Sequence, residues 1–261
     1  MSPAQPNREE MAALAITSMG HLCTLPEVTQ KLIVLSDDPK SSANDFHKII
    51  ATDPALSARV LRVVNSSLYG LPGQIASINR AVVMLGIAAV RNIALGCSFA
   101  KVFQGKPIHP AFSPTKLWEH SQRVALASQV LAKQIKSPLT DESFLAGLIH
   151  DIGLVVIAQS DPRGMCELLD RTLNIEHQPI ADMLGIETQI FGTDHTIVGR
   201  TLCQHWKFPP SLAAAAGGHH HPELLPRDGR LLATIVHVAE RVCEKAVPQF
   251  SADLFDRKIS Q

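Results

Sequence analysis

Twelve histidines punctuate this chain, and four groups of them fall where an inward-facing helix would present them: His120, His150 beside Asp151, His195, and the run His219–His220–His221. Imidazole and carboxylate are the donors that suit iron, manganese, zinc and similar ions. His150 and Asp151 lie inside LAGLIHDIGLVV, an otherwise apolar run. Burying such a pair is costly unless partners or a metal replace the lost hydration. Adjacent helical residues point about 100° apart, so the pair can serve one ion from two sides, or the aspartate can bridge two. Spacings of 30, 45 and 24 residues separate the four groups. Those are distances from one helix to the next, which bring ligands together in a bundle core rather than in a finger. The plainer reading of each group is structural. A lone His120 reads as a hydrogen-bonded core histidine, and His219 to His221 as a polar loop before Pro222. His21, His47, His109, His177 and His205 read as surface residues. Only the co-occurrence of the groups raises the metal reading, and spacing alone leaves both readings open.

Helices must position these residues, because helical periodicity dominates and no alternating strand pattern stands out. LPEVTQKLIVLSDD starts at Pro26 and puts Val28, Leu32 and Leu35 on one side; SSAND opens a helix carrying Phe46, Ile49 and Ile50. In TDPALSARVLRVVNSSLYG, Asp53 caps and Pro54 takes the first turn, where its missing N–H costs nothing; Asn65 to Gly70 end the helix. Ser77 caps the next segment, in which Gly86 divides two helices. That helix–Gly–helix outline suggests DNA binding, but the second arm, IAAVRNIALGCSFA, offers one arginine and one asparagine, too few polar side chains to read base edges. QGKPIHPAFSPT, with Pro107, Pro110 and Pro114, reads as a linker or rigid crossover between two helical lobes.

In the second lobe, Leu117, Val124, Leu131 and Ile135 form an inward stripe that includes His120. TDESFLAGLIHDIGLVVIAQ reads as one helix, capped by Thr140 or Asp141 with Glu142 in its first turn. His150 and Asp151 then fall at the edge of its apolar face. Less cleanly bounded segments follow, and the last clear helix turns Leu232, Ile235, Ala239 and Val242 inward. No fixed repeat is present, which excludes a solenoid. The chain is therefore read as all-α, with a polar or helical segment at 1–20, an N-terminal helical lobe at 21–114, a second lobe at 115–247 and a tail at 248–261.

Bulk properties narrow the function. With 46 % hydrophobic residues in 261, a substantial core forms and disorder is excluded. The first 115 residues hold 10 basic and 7 acidic side chains out of 24 of each, an asymmetry too small to indicate nucleic acid. The five cysteines (Cys23, Cys97, Cys166, Cys203, Cys243) are scattered and odd in number, which reads as reduced, buried thiols. MSPAQPNREE lacks the order of a signal peptide, and AVVMLGIAAV, the longest uninterrupted apolar stretch, is too short to span a bilayer. A cytoplasmic protein with no membrane partner is expected. About ten polar residues precede the first helix and only a short tail follows Glu244, so input is expected to arrive through a ligand, a partner or protein level.

The sequence resembles the HDOD family, a branch of the HD superfamily of metal phosphohydrolases found in bacterial signalling. The strings that carry the resemblance are LPEVTQKLIVLSDD, IIATDPALSARVLRVVNSSLYG, IASINRAVVMLGIAAVRNIAL, LWEHSQRVA, FLAGLIHDIG, FGTDHTIVGRTLCQHWKFP and the HH of GGHHHPE, from about Leu22 to Glu244. It implies an N-terminal helical bundle packed on an HD-like helical lobe. Through the related HD-GYP phosphodiesterases it also implies a set of metal ligands: His120, His150, Asp151, His195, His219, His220 and Glu240, the last standing where an aspartate is usual. A divalent transition metal (Fe, Mn or Zn) is the implied cofactor. Leu154 stands where those enzymes carry a lysine, and PELLPRDG stands in place of GYP. Fixed positive charge assists phosphoryl transfer, so both departures point away from catalysis.

Three functions follow as expectations. The first is a signalling module without catalytic residues, whose lobes bind a partner protein or a small nucleotide ligand in their cleft. The second is a metal-dependent phosphohydrolase acting on a nucleotide such as a cyclic dinucleotide. The third, a nucleic-acid-binding regulator, is the weakest.

Overall fold

The computed structural model describes residues 7–20, 27–36, 41–66, 69–100, 102–103, 105–174 and 181–246. Cys23, Pro26, His21, His177 and the tail at 248–261 lie outside the described residues. Among the described residues every element longer than a turn is helical, and His109 and Phe112 form an isolated β-bridge. The chain divides into two compact units, residues 24–102 and residues 1–23 with 103–261.

The 24–102 unit holds α2 (Glu27–Ser36), α3 (Ala43–Ala51), α4 (Pro54–Val64), α5 (Ile78–Leu85) and α6 (Ile87–Phe99). Local chemistry sets its boundaries. Ser42 and Asp45 form a reciprocal capping box at α3, Asp53 accepts the Leu56 N–H ahead of Pro54, and Ser77 caps α5. Gly86, at φ 87°, makes the turn into α6, a conformation that a Cβ disfavours. Asn65 ties the end of α4 to Ile75, donating to its O and accepting its N–H. Helix α6 is the hub and packs on α2, α3, α4 and α5. Its Val90, Ile93, Leu95 and Phe99 are buried with Phe46, Ile50 and Val60, each contributing roughly 1.5–3 kcal/mol by leaving water. The arm that resembled a recognition helix is therefore a core helix. Its Asn92 is buried, and Arg91 Nε donates to Asn92 Oδ1.

The second unit contains α1 (Arg8–Ser18), α7 (Pro114–Gln134), α8 (Thr140–Ile149), α9 (Ile152–Ser160), α10 (Pro162–Thr172), α11 (Met183–Phe191), α12 (His195–His205), α13 (Pro210–Gly218) and α14 (Arg227–Ala246). The first helix begins at Arg8, earlier than ten leading polar residues would allow, and packs on α9 and α12. Residues 103–113 group with this unit. His109 pins them, accepting the Ala111 N–H at Nδ1 and meeting Asp170 at Nε2, so His109 is a tie rather than a free surface residue.

Three local expectations are corrected. The stretch 140–160 is not one helix but two, broken at His150–Asp151, where Asp151 turns to φ −98°, ψ 17°. Thr140 and Asp141 do not cap α8; Leu139 occupies that position, and the Thr140 hydroxyl donates to Ser137 O instead. Ile135 and Val242, expected inward, are 60 % and 49 % exposed: Ile135 is the C-cap of α7, and Val242 shares an exposed side of α14 with Val238. Thr140–Ser160 is long and apolar enough to cross a membrane, yet 83 % of its most apolar 18-residue window is buried within the protein.

Candidate metal centre

Five elements deliver the seven residues singled out above. His120 comes from the middle of α7, and His150 with Asp151 from the break between α8 and α9. His195 is the first residue of α12, His219 and His220 follow α13, and Glu240 comes from α14. Six of them are at most 3 % exposed; His220 is half-buried.

Close helix packing makes the convergence possible. A Cβ on Gly153 would sit 1.9 Å from His195 O and 2.8 Å from Gly199 N, so α9 and α12 meet backbone to backbone. The glycines of HDIG and HTIVG thus face each other and seat His195 beside Asp151. Gly147 does the same between α8 and α7, where a Cβ would lie 2.8 Å from Ala125 Cα.

Side chains are aimed by their outer nitrogens. His150 Nδ1 bonds Gly147 O at 2.8 Å and His219 Nδ1 bonds Ala216 O at 3.1 Å. His195 Nδ1 meets the buried Glu187 carboxylate at 2.8 and 2.9 Å. Each bond fixes a tautomer that leaves Nε2 as a donor atom toward the centre. His237 Nδ1 at 2.7 Å from His219 O holds the histidine pair against α14.

The inward atoms form two sets that share Asp151: His120, His150, Asp151 and Glu240, and Asp151, His195, His219 and His220. Within each set one ligand atom per residue lies within 4.8 Å of all the others. Asp151 Oδ2 faces His150 Nε2 at 3.1 Å and His120 Nε2 at 3.6 Å. Its Oδ1 faces His219 Nε2 at 3.4 Å and His195 Nε2 at 3.7 Å. Nitrogen pairs approach to similar distances, His120–His150 at 3.3 Å and His195–His220 at 3.0 Å. Two ligands about 2.0–2.1 Å from one ion lie roughly 3.0–3.4 Å apart at right-angle to tetrahedral geometry. The tighter spacings are ones that ligands sharing an ion would have, and one Asp151 oxygen is turned to each set. Both Asp151 oxygens, His219 Nε2 and Glu240 Oε1 are buried without a hydrogen-bond partner among the described residues. Such groups are costly to leave unsatisfied, and a cation in each set would satisfy all four.

Mutual electrostatics sharpen the pattern. Burial pushes His120 down to about 3 and His219 to about 4, with the neighbouring imidazoles adding to the effect. Burial also opposes charge on His150, but Asp151, Glu240 and the Gly147 carbonyl outweigh it and raise His150 to about 9. His195 is likewise raised against its burial, by Glu187 first. Burial lifts Glu240 to about 8, whereas His150 and His219 hold Asp151 well below the usual carboxylate range despite its burial. Asp151 is thus the fixed negative charge on which the cluster is built.

Sequence reasoning missed Glu187. Its signal is a lone acid in MLGIETQIF, an otherwise mostly apolar helix eight residues before His195. Leu154, in place of the lysine of the HD-GYP enzymes, is fully buried.

The HDOD domain family model matches residues 22–222. An uncharacterized protein of Treponema pallidum (strain Nichols) is 24 % identical over 200 residues, which cover 75 % of this chain and 37 % of that protein, so the chain spans little more than a third of that relative. An HDOD domain protein of unknown function from Geobacter sulfurreducens superposes with a TM-score of 0.79 at 24 % identity, covering 97 % of this chain and 82 % of that one. A candidate metal-dependent phosphohydrolase from Shewanella amazonensis SB2B gives 0.62 at 23 % identity, covering 94 % and 88 %. A candidate signal transduction protein from Marinobacter aquaeolei VT8 gives 0.70 at 21 %, covering 98 % and 60 %. These superpositions establish the shared all-helical fold.

Proposed function

The chain belongs to the HDOD domain family, and we propose that it is a signalling module whose HD-like unit holds two divalent transition-metal ions and which acts by binding rather than by hydrolysis. The observation that carries the metal reading is the Asp151 carboxylate, whose two oxygens each face a separate set of buried donors. Iron, manganese and zinc all suit this mixture of imidazole and carboxylate. The reading as a binding module rests on two further features. Leu154 leaves no cation where HD-GYP enzymes place a lysine, and six of the seven candidate ligands are at most 3 % exposed, so no fixed positive charge stands ready for a phosphoester beside the centre. The partner is a signalling protein or a small nucleotide, in keeping with a similar structure described as a candidate signal transduction protein. A cytoplasmic setting suits the unpaired thiols of Cys97, Cys166, Cys203 and Cys243.

The second reading, a metal-dependent phosphohydrolase, is favoured by the same bridging aspartate, and one similar structure is described in those terms. Bound ions would supply Lewis acidity for phosphoryl chemistry. Turnover of cyclic dinucleotides and nitrophenyl phosphoesters by protein loaded with Fe, Mn or Zn separates the two. No turnover with metal bound is the expected result; turnover that disappears in Asp151→Ala would establish the enzyme.

A further inference from the structure

We propose that the two ion positions are unequal: the inner one, among His120, His150, Asp151 and Glu240, is retained, and the outer one, among Asp151, His195, His219 and His220, exchanges and depends on Glu187. The inference rests on the metal reading above. Exposure divides the sets first. Every inner ligand is at most 3 % exposed, whereas the outer set includes half-buried His220. Solvent and competing ligands therefore reach the outer position first.

Donor chemistry divides them further. The inner set has a carboxylate of its own, Glu240, besides its share of Asp151; the outer set has only its share of Asp151 and three imidazoles. Glu187 makes up the missing charge at one remove. Of the three histidines anchored through Nδ1, His150 and His219 use carbonyls of their own chain turn, but His195 uses a carboxylate. Both Glu187 oxygens meet His195 Nδ1, and Oε2 also accepts the His195 backbone N–H at 2.8 Å. Glu187 is thereby committed to His195 and is a positioning residue, not a ligand. A carboxylate behind a ligating imidazole fixes its orientation and raises its basicity, and losing such a group lowers metal affinity roughly 10–100-fold. Among the described residues the hydrogen bonds of Glu187 all run to His195, so the loss should fall on one ion.

The test loads the full chain with Zn²⁺, removes the excess, adds EDTA and follows retained zinc by elemental mass spectrometry. Wild type should release one ion quickly and one slowly. Glu187→Gln should hold only the slow ion, and His220→Ala should behave alike. Two ions leaving wild type at one rate, or Glu187→Gln keeping two ions with wild-type kinetics, would overturn the inference. So would loss of both ions from folded Glu187→Gln. Should that variant not fold, Glu187→Asp keeps the charge but withdraws it by a methylene: faster loss of the labile ion alone supports the proposal, and an unchanged fast phase refutes it. Wild type that takes up no zinc would sink the metal reading itself.

Discussion

At the scale of residues, a proton and a metal compete for the same atoms. His150, raised to about 9, and Glu240, raised to about 8, must both lose protons to act as ligands. Metal binding should therefore release protons, and apparent affinity should climb from pH 6 to about pH 9. His120 and His219, lowered to about 3 and about 4, are already neutral in that window and add no slope. Metal titrations at several pH values, with proton release followed in weak buffer, check this; an affinity flat across the range would contradict it. Much of the site was legible at this scale. His120, His150, His195 and the His219–His220 pair stood out by recurring at helix-to-helix intervals, whereas Glu240 was reachable only through the family resemblance. Glu187 was not legible, because its importance lies in which nitrogen it touches, and one glutamate in an apolar helix has no spacing to betray it.

Among the elements, glycines set the geometry. Gly153→Ala would force a methyl into the His195 carbonyl. It should destabilise the protein by about 3 kcal/mol or more, since overpacking against backbone has no easy relief, and it should weaken metal binding because α12 carries His195. Thermal melts and metal content measured together test this, and a near-neutral substitution would show that the two helices part without consequence. Leu154→Lys asks a complementary question. Leu154 is fully buried, so a lysine there should cost about 3–5 kcal/mol as an uncompensated charge and confer no phosphoesterase activity. A stable, active Leu154→Lys would favour the enzymatic reading. Capping signals such as Asp53–Pro54 and Ser77 were readable because they act within one turn. The break at His150–Asp151 was not, because apolar periodicity runs unbroken through 140–160 and only tertiary packing distinguishes two helices from one.

The whole molecule consists of two helical units with different dependence on the centre. All seven candidate ligands fall in the unit made of residues 1–23 and 103–261, and none in residues 24–102. An ion that binds only the folded state stabilises it in proportion to its occupancy. Chelation should therefore lower hydrogen-exchange protection in α7, α8, α12, α13 and α14 while leaving α3, α4 and α6 unchanged; uniform loss would contradict a local role. The all-helical class was legible from period and composition alone. A division beside QGKPIHPAFSPT was readable from its prolines, whereas the grouping of residues 103–113 and of α1 with the later helices depends on contacts far apart in sequence and was not. The most direct test of the two-ion centre is the metal content of anaerobically purified protein, measured by elemental mass spectrometry beside Asp151→Asn. Because Asp151 faces both donor sets, close to two transition-metal ions per wild-type chain and almost none in the variant is the predicted result. A wild type without metal, or a folded variant that keeps both ions, would contradict it.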